Sequence, residues 1–238
     1  MDSLETSVNI LLTGATGFLG SQLLIKLKGK STNIVGVSTH RNETTIGCDL
    51  TFSDSVKALI DDCQPDIIIH CAAYVPNKSH DLQDDLLSKS NFLMTQNILE
   101  ASVCPIIYIS SMTVYGSSHV APVVEADLCA PDGHYARSKF DCECLIKESG
   151  RLGLAIRIPG LFGMPRRSGL VYNLLRSALT TQEIALPQTP IVWSGIHVDD
   201  AAQGISSLLP QAANSFSVVN LGCTGANSVN TLIDLIND

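Results

Sequence analysis

The chain has 238 residues, 45% hydrophobic and 16% charged, which describes a globular fold with a sizeable core and excludes a disordered one. A formal net charge of −8 excludes nucleic acid as the main partner, because phosphate backbones are held by clustered Lys and Arg. No stretch reaches the roughly 18 apolar residues of a membrane span, and eight cysteines without a Cys-x-x-Cys pair read as reduced thiols of a cytoplasmic protein.

Residues 1–7 are polar and acidic, unlike a signal peptide. Residues 8–12 predict a strand, and the glycine-punctuated stretch after it opens a helix over 17–27. A second strand is expected over 33–38, then a helix over 53–63 with Ser53 as its N-cap. Ile67, Ile68 and Ile69 mark a strand over 66–71, followed by a long helix over 82–102. Strands over 106–110 and 154–158 bracket a helix over 135–149. Beyond Pro159 the pattern loosens into helices over 169–179 and 197–209 and a short strand over 218–221. Continuous apolar strands alternating with helices predict an α/β fold, a doubly wound parallel sheet covered on both faces. The expected division is a Rossmann core over 1–160 and a small C-terminal substrate lobe over 161–238, interleaved with the last core elements.

The run Thr13-Gly14-Ala15-Thr16-Gly17-Phe18-Leu19-Gly20 sits where the first strand gives way to the first helix. A pyrophosphate needs free N–H groups at a helix N-terminus and no side chains in the way. Gly14 suits the tight turn, Gly17 the approach of backbone to phosphate, and Gly20 close packing of helix on sheet. The spacing is Gly-x-x-Gly-x-x-Gly. It resembles the extended short-chain dehydrogenase/reductases, the NAD-dependent epimerase/dehydratase family.

Further segments carry the resemblance in order: Asp49-Leu50, His70-Cys71-Ala72-Ala73, Asn91, Ser110-Ser111-Met112-Thr113-Val114-Tyr115-Gly116, Tyr135-Ala136-Arg137-Ser138-Lys139, Arg157-Ile158-Pro159-Gly160 and Ile196-His197-Val198-Asp199-Asp200. It implies cofactor contacts from Gly14, Thr16, Gly17, Phe18, Leu19, Asp49, Leu50, Cys71, Ala72, Ala73, Asn91, Tyr135, Lys139 and Pro159. It implies Ser111, Tyr135 and Lys139 as the catalytic group, and Thr113 and Tyr115 as substrate contacts.

The chemistry agrees. Reduction by a nicotinamide needs a proton for the developing alkoxide, and a phenol at its ordinary pKa of about 10 gives one up slowly at neutral pH. Tyr135 and Lys139 are four positions apart, so on a helix they share a face. The ammonium is expected to lower the phenol's pKa. Ser111, at a strand end, suits a hydroxyl that holds the substrate oxygen.

The second strand runs into Ser38-Thr39-His40-Arg41 with no acid before Glu43. Arg41 and the hydroxyls favour a ribose 2′-phosphate, hence NADP over NAD. Met112-Thr113 stand where the dehydratases carry Asp-Glu, which leaves reduction or epimerisation of a sugar nucleotide or similar substrate. Relatives of this type are usually longer at the C-terminus and carry an arginine where this chain has Trp193-Ser194; Arg166 and Arg167 are candidates to replace it. The alternative is an NADP-binding regulatory or scaffold protein without turnover. No Gly-x-Ser-x-Gly elbow supports a hydrolase, and no His/Cys spacing supports a metal site. The family implies a homodimer through the helices over 82–102 and 135–149.

Overall fold

The computed structural model describes residues 7–29, 32–75, 85–117, 122–180, 193–222 and 228–237. In chain order the first half comprises β1 (Val8–Thr13), α1 (Phe18–Leu27), β2 (Thr32–Ser38), β3 (Thr45–Gly47), α2 (Ser53–Cys63), β4 (Ile67–His70), α3 (Asp85–Ala101) and β5 (Ile106–Ser111). A 3-10 turn (Met112–Tyr115) leads on to α4 (Gly133–Glu148), β6 (Gly153–Ile158), β7 (Gly160–Phe162) and α5 (Leu170–Leu179). The chain continues with β8 (Gly195–His197), α6 (Val198–Leu208), β9 (Ser217–Asn220) and α7 (Val229–Asn237).

The main sheet runs β3-β2-β1-β4-β5-β6-β9 and every neighbouring pair is parallel. This is the doubly wound α/β fold expected from the sequence. Its strands are apolar at consecutive positions because both faces are covered. Ile10 and Leu12 pack with Leu23 of α1 and Ile205 of α6 on one face. Leu11, between them, packs with Val56 of α2, Ile98 of α3 and Ile146 of α4 on the other. Ile67, Ile68 and Ile69 divide between the two faces in the same alternating way.

The last third of the chain is shared between two cores. Val198, Ala201, Ala202 and Ile205 of α6 belong to the main core, and β9 completes the sheet beside β6. Leu174 of α5 with Val229 and Ile233 of α7 form a separate small cluster, against which Trp193 packs. β7 and β8 pair with each other as a two-stranded parallel sheet.

Several local expectations need correction. Phe52, not Ser53, is the N-cap of α2, in an extended conformation without a side-chain cap bond; Ser53 is already helical. α4 begins two residues before Tyr135, at Gly133. The start of the helix expected over 82–102 lies outside the described residues. β3, β7 and β8 have three residues each, too few to show a period of two. Among the described residues no helix is long and apolar enough to cross a membrane, and the seven described cysteines are free.

Candidate active site

The strand order reverses at β1 and β4, and a crevice opens there at their carboxyl ends. Gly14 turns the chain from β1 toward α1 at φ +68°, and a Cβ on it would lie 2.7 Å from the Ala72 nitrogen. Gly20 brings α1 down onto this turn: a Cβ there would sit 2.1 Å from the Gly14 carbonyl oxygen. Gly17 N-caps α1 and its amide donates to that carbonyl at 2.9 Å. A Cβ on Gly17 would meet only the same oxygen, at 3.1 Å. The wall beside the first amides of α1 is therefore bare backbone, the setting in which a helix N-terminus binds an anion.

Two cavities meet at this wall. One, of about 220 Å³, passes Val37, Ser38, Asp49, Leu50, Ala72 and Met94. The other, of about 590 Å³, is bounded by Phe18, Leu19, Ser111, Tyr135, Lys139, Pro159 and Arg166. Gly14, Thr16, Gly17, Cys71 and Ala73 line both. Together they form one groove pinched at the glycine turn. That shape fits a dinucleotide, with a nucleoside at each end and the pyrophosphate at the bare wall.

The floor of the pinch is held from below. The Thr13 hydroxyl accepts the Ala72 amide at 3.2 Å and lies 2.7 Å from His70 Nδ1. On the far side of the ring, His70 Nε2 lies 3.3 Å from the Thr95 hydroxyl of α3, which itself donates to the Asn91 carbonyl. The consistent assignment has Thr13 donating to Nδ1 and the ring proton on Nε2. Burial, aided by the Lys139 charge, pushes His70 down to about 3, so the ring stays neutral. Burial pushes the Cys71 thiol up to about 12, which keeps it protonated and unreactive.

Asn91 lies behind the groove rather than in its lining. Its side-chain oxygen accepts the Tyr74 amide at 2.7 Å and its nitrogen donates to the Tyr74 carbonyl at 3.1 Å. It fixes the backbone of a lining residue. Asn97 does the same for Leu50, donating to its carbonyl at 2.9 Å. Asp49 Oδ1 accepts the Thr51 amide and hydroxyl at 3.0 and 2.7 Å. Arg41 is exposed and lies outside both cavities. It borders a shallower depression of about 480 Å³ that adjoins the nucleoside end through Thr39, Cys48 and Asp49.

Ser111 ends β5, and α4 carries Tyr135 and Lys139; all three line the larger cavity with Gly14 and Gly17. Ser111 Oγ accepts from the Thr113 amide at 3.2 Å and the Thr113 hydroxyl at 2.9 Å, which leaves its own proton to donate. Thr113 is exposed beside it. Tyr115 is not in the lining. Its buried hydroxyl lies 2.8 Å from Asn220 Oδ1 and 3.1 Å from the Val124 carbonyl, with the Arg157 guanidinium 4.7 Å over its ring. The substrate contact expected of Tyr115 is replaced by a structural one, tying the turn after β5 to the end of β9.

The ionisation of the pair also differs from expectation. Lys139 Nζ donates to the Ile109 carbonyl at 2.8 Å and stands 4.8 Å from the Tyr108 ring centre, against 5.9 Å for Tyr135. Burial lowers Lys139 to about 8, opposed by Cys142, Cys71 and Glu143. Burial raises Tyr135 to about 12, and the charge opposing it is that of Arg166. Lys139 does not depress the phenol here, because desolvation outweighs an ammonium turned to a carbonyl and to another ring. Tyr135 is therefore a protonated phenol at neutral pH.

Glu143 is a buried member of this neighbourhood that motif reasoning misses. It accepts from Arg157 Nε at 3.0 Å and Nη2 at 2.6 Å, and the Ser110 hydroxyl donates to the same carboxylate. It follows Lys139 by four positions, so the Tyr135–Lys139 face of α4 continues to it; that spacing was the available signal.

The crevice at the switch point, walled by glycines on one side and by α4 on the other, places the fold among dinucleotide-binding α/β proteins of the short-chain dehydrogenase/reductase type. The NAD dependent epimerase/dehydratase family model matches residues 10–222, and the chain belongs to that family. It is similar to methionine adenosyltransferase 2 subunit beta of Xenopus laevis, 30% identical over 157 residues that cover 64% of this chain and 47% of that protein. It is also similar to the probable low-salt glycan biosynthesis reductase Agl14 of Haloferax volcanii, 28% identical over 162 residues, covering 64% of this chain and 53% of that protein. The solved UDP-N-acetylglucosamine 4-epimerase from Bacillus cereus shares the fold, with a TM-score of 0.84 at 22% identity over 97% of this chain and 81% of that one. The chain spans about half the length of the curated relatives it matches.

Proposed function

We propose that this chain binds NADP(H) in the groove and reduces a carbonyl, or epimerises a carbinol, of a sugar nucleotide or similar substrate. The observation that carries the reading is the meeting of Ser111, Tyr135 and Lys139 with the Gly14 and Gly17 wall in one cavity. The nicotinamide supplies a hydride when bound. Gly17 and the first amides of α1 hold the pyrophosphate, Asp49 and Leu50 take the adenosine end, and Arg41 reaches a ribose 2′-phosphate. Ser111 donates to the substrate oxygen. Tyr135 gives its proton to that oxygen as negative charge develops, and the Arg166 charge, which opposes the effect of burial, favours the phenolate left behind. Burial holds the phenol protonated at about 12, so its proton is in place for a reduction, whereas epimerisation begins from the phenolate.

The test is NADPH consumption with a panel of keto-sugar nucleotides by the parent chain and by Tyr135→Phe. Turnover that disappears in the variant supports the proposal. NADPH binding without turnover on any substrate sinks it and leaves a cofactor-binding subunit. One observation favours that second reading: a relative 30% identical to this chain is named as a subunit of methionine adenosyltransferase 2. NADP preference is tested by Arg41→Ala, which should weaken NADPH and spare NADH. A homodimer through α3 and α4 belongs to the same proposal, with Leu93 and Phe92 beside the open groove between these helices, and sedimentation decides it.

A further inference from the structure

Helix α4 grips the end of β5 at two consecutive residues. Lys139 Nζ donates to the Ile109 carbonyl at 2.8 Å, and one turn further along the same helical face the Glu143 carboxylate accepts the Ser110 hydroxyl. The next residue is Ser111, which lines the larger cavity with Tyr135 and Lys139. Glu143 holds the neighbouring strand as well. Ser110 and Arg157 stand opposite each other in the β5–β6 register, and Arg157 donates to Glu143 through Nε at 3.0 Å and Nη2 at 2.6 Å. Ile158 and Pro159, which follow Arg157, are again cavity lining. One buried carboxylate thus joins the helix that carries the phenol and the ammonium to the two strand ends that face them.

The charges around Lys139 give this clasp a second consequence. His70 and Cys71 face it from the end of β4, Tyr108 from β5, and Tyr135, Cys142 and Glu143 from α4 itself. Arg157 of β6 is joined to this group through Glu143, and Arg166 reaches the same cavity from the loop after β7. Burial keeps His70 neutral, the two thiols protonated, and the phenols of Tyr108 and Tyr135 protonated. The anion among these groups is the Glu143 carboxylate. It opposes the burial that lowers Lys139 to about 8, whereas Cys71 and Cys142 oppose it only as thiolates, a form neither takes at neutral pH.

We propose that Glu143 is a positioning residue of the site, its carboxylate clasping α4 to the ends of β5 and β6 and serving as the counter-charge of the Lys139 ammonium. The inference rests on the groove binding NADP(H) as proposed above. Glu143 is absent from the cavity lining and acts through its neighbours, on Ser111 by way of Ser110 and on the cofactor by way of Lys139. A charged Lys139 strengthens the hydrogen bonds it gives to a bound dinucleotide. A buried ammonium deprived of its counter-charge gives up its proton more readily.

NADPH titration of the full chain on both sides of pH 8 tests this, comparing the parent with Glu143→Gln, Glu143→Asp and Lys139→Met. In the parent, affinity should weaken as pH rises through about 8, where Lys139 loses its proton, and in Lys139→Met that inflection should vanish. In Glu143→Gln it should move to lower pH by about one unit or more, the size of shift that a nearby opposite charge produces. Glu143→Asp keeps the charge and should return the inflection toward that of the parent. A carboxylate that only braced the sheet would leave the inflection in place in every variant that folds. Glu143→Gln leaves the Arg157 guanidinium without its anion; where that variant does not fold, Glu143→Gln combined with Arg157→Met removes both charges of the pair and carries the same comparison. An unmoved inflection in the folded glutamine variant, one that persists in Lys139→Met, or a parent that does not bind NADPH or shows no inflection near 8 overturns the proposal. Turnover is not the readout, so the two proposals fail separately. A shifted inflection in a chain that reduces nothing removes only the proposed reaction, and an unmoved one in a chain that turns over removes only the role of Glu143.

Discussion

Replacing Gly14 or Gly29 by alanine and Gly17 by valine separates backbone strain, backbone overlap and loss of the groove wall. Gly29 has φ +89° and nothing within 4 Å of a Cβ, so alanine there costs only the left-handed conformation, about 1–2 kcal/mol. Gly14 has φ +68° and, in addition, a Cβ would lie 2.7, 2.8 and 2.9 Å from backbone atoms of Ala72 and Cys71. Carbon contacts are comfortable only at about 3.5 Å or more, and relieving such overlap costs about 1–3 kcal/mol beyond the strain. Gly14→Ala should therefore cost about 2–5 kcal/mol, a large part of the about 5–15 kcal/mol that holds a domain together. Gly17 is not left-handed, and its Cβ would meet one atom at 3.1 Å. Gly17→Val should cost about 1 kcal/mol, from the poorer N-cap, while its side chain fills the wall where the phosphate is to bind. Urea melts and NADPH titration of the three variants give the comparison. Gly29→Ala should bind normally, Gly17→Val should fold and not bind, and Gly14→Ala should lose both. A Gly17→Val chain that titrates like the parent, or a Gly14→Ala chain as stable as Gly29→Ala, would refute this reasoning.

Lys139 has a folded pKa of about 8, below its ordinary 10.5, so the unfolded chain binds more protons between these values and stability should rise with pH across that window. Lys139→Met should abolish turnover, weaken the cofactor and flatten that rise, while leaving the neutral-pH melting temperature unchanged or higher; retained turnover or a retained alkaline rise counts against it. His70 is held at about 3 against an ordinary 6.5, so the unfolded chain takes up the extra proton and stability should fall as pH drops below 6.5. His70→Asn should make the acid limb of stability against pH shallower by one proton, and an identical slope in urea melts would exclude the assignment. Glu143→Ala strands a buried guanidinium and should cost about 3–5 kcal/mol; a denaturant midpoint within error of the parent would show that the pair does not hold β6 to α4.

The sheet was legible because its strands announce themselves. Ile67, Ile68 and Ile69 in sequence are β-branched and suit a strand covered on both faces, and the glycine run marks the end of the first strand. The meeting of Ser111 with the Tyr135–Lys139 pair is legible through order along the chain, since they follow the glycine turn at family spacing and the structure brings all three to one cavity. What escaped was set by neighbours distant in sequence. Asn91 and Tyr115 read as ligand contacts, yet each finds a protein partner, Tyr74 and Asn220, that no local pattern names. The Tyr135 ionisation is hidden from the sequence for the same reason: helical spacing places an ammonium near the ring, but only the tertiary structure shows the Ile109 carbonyl that holds it. β3, β7 and β8 are short strands whose pairing is decided by the sheet they join.

The charges around Tyr135 bear on whether the chain turns over or only binds. The phenol is protonated, the lysine is turned toward Ile109, and the charge that opposes the effect of burial on the phenol is that of Arg166, from a different loop. This arrangement does not generate a base unaided. It does keep a proton in place against loss to solvent, since desolvation opposes the phenolate and the neutral His70 adds no charge of its own. A donor of this kind becomes competent only when negative charge forms on an adjacent oxygen, because hydrogen-bond donation then strengthens as the reaction proceeds. Positive charge in the cavity works in the same direction, favouring the developing alkoxide before transfer and the phenolate after it. Lys139 and Arg166, with no carboxylate among the described lining residues, suit phosphate binding as well as proton delivery. Turnover with Tyr135→Phe as the control, and not the charge of the lining, is what separates the proposed reductase from a cofactor-binding subunit.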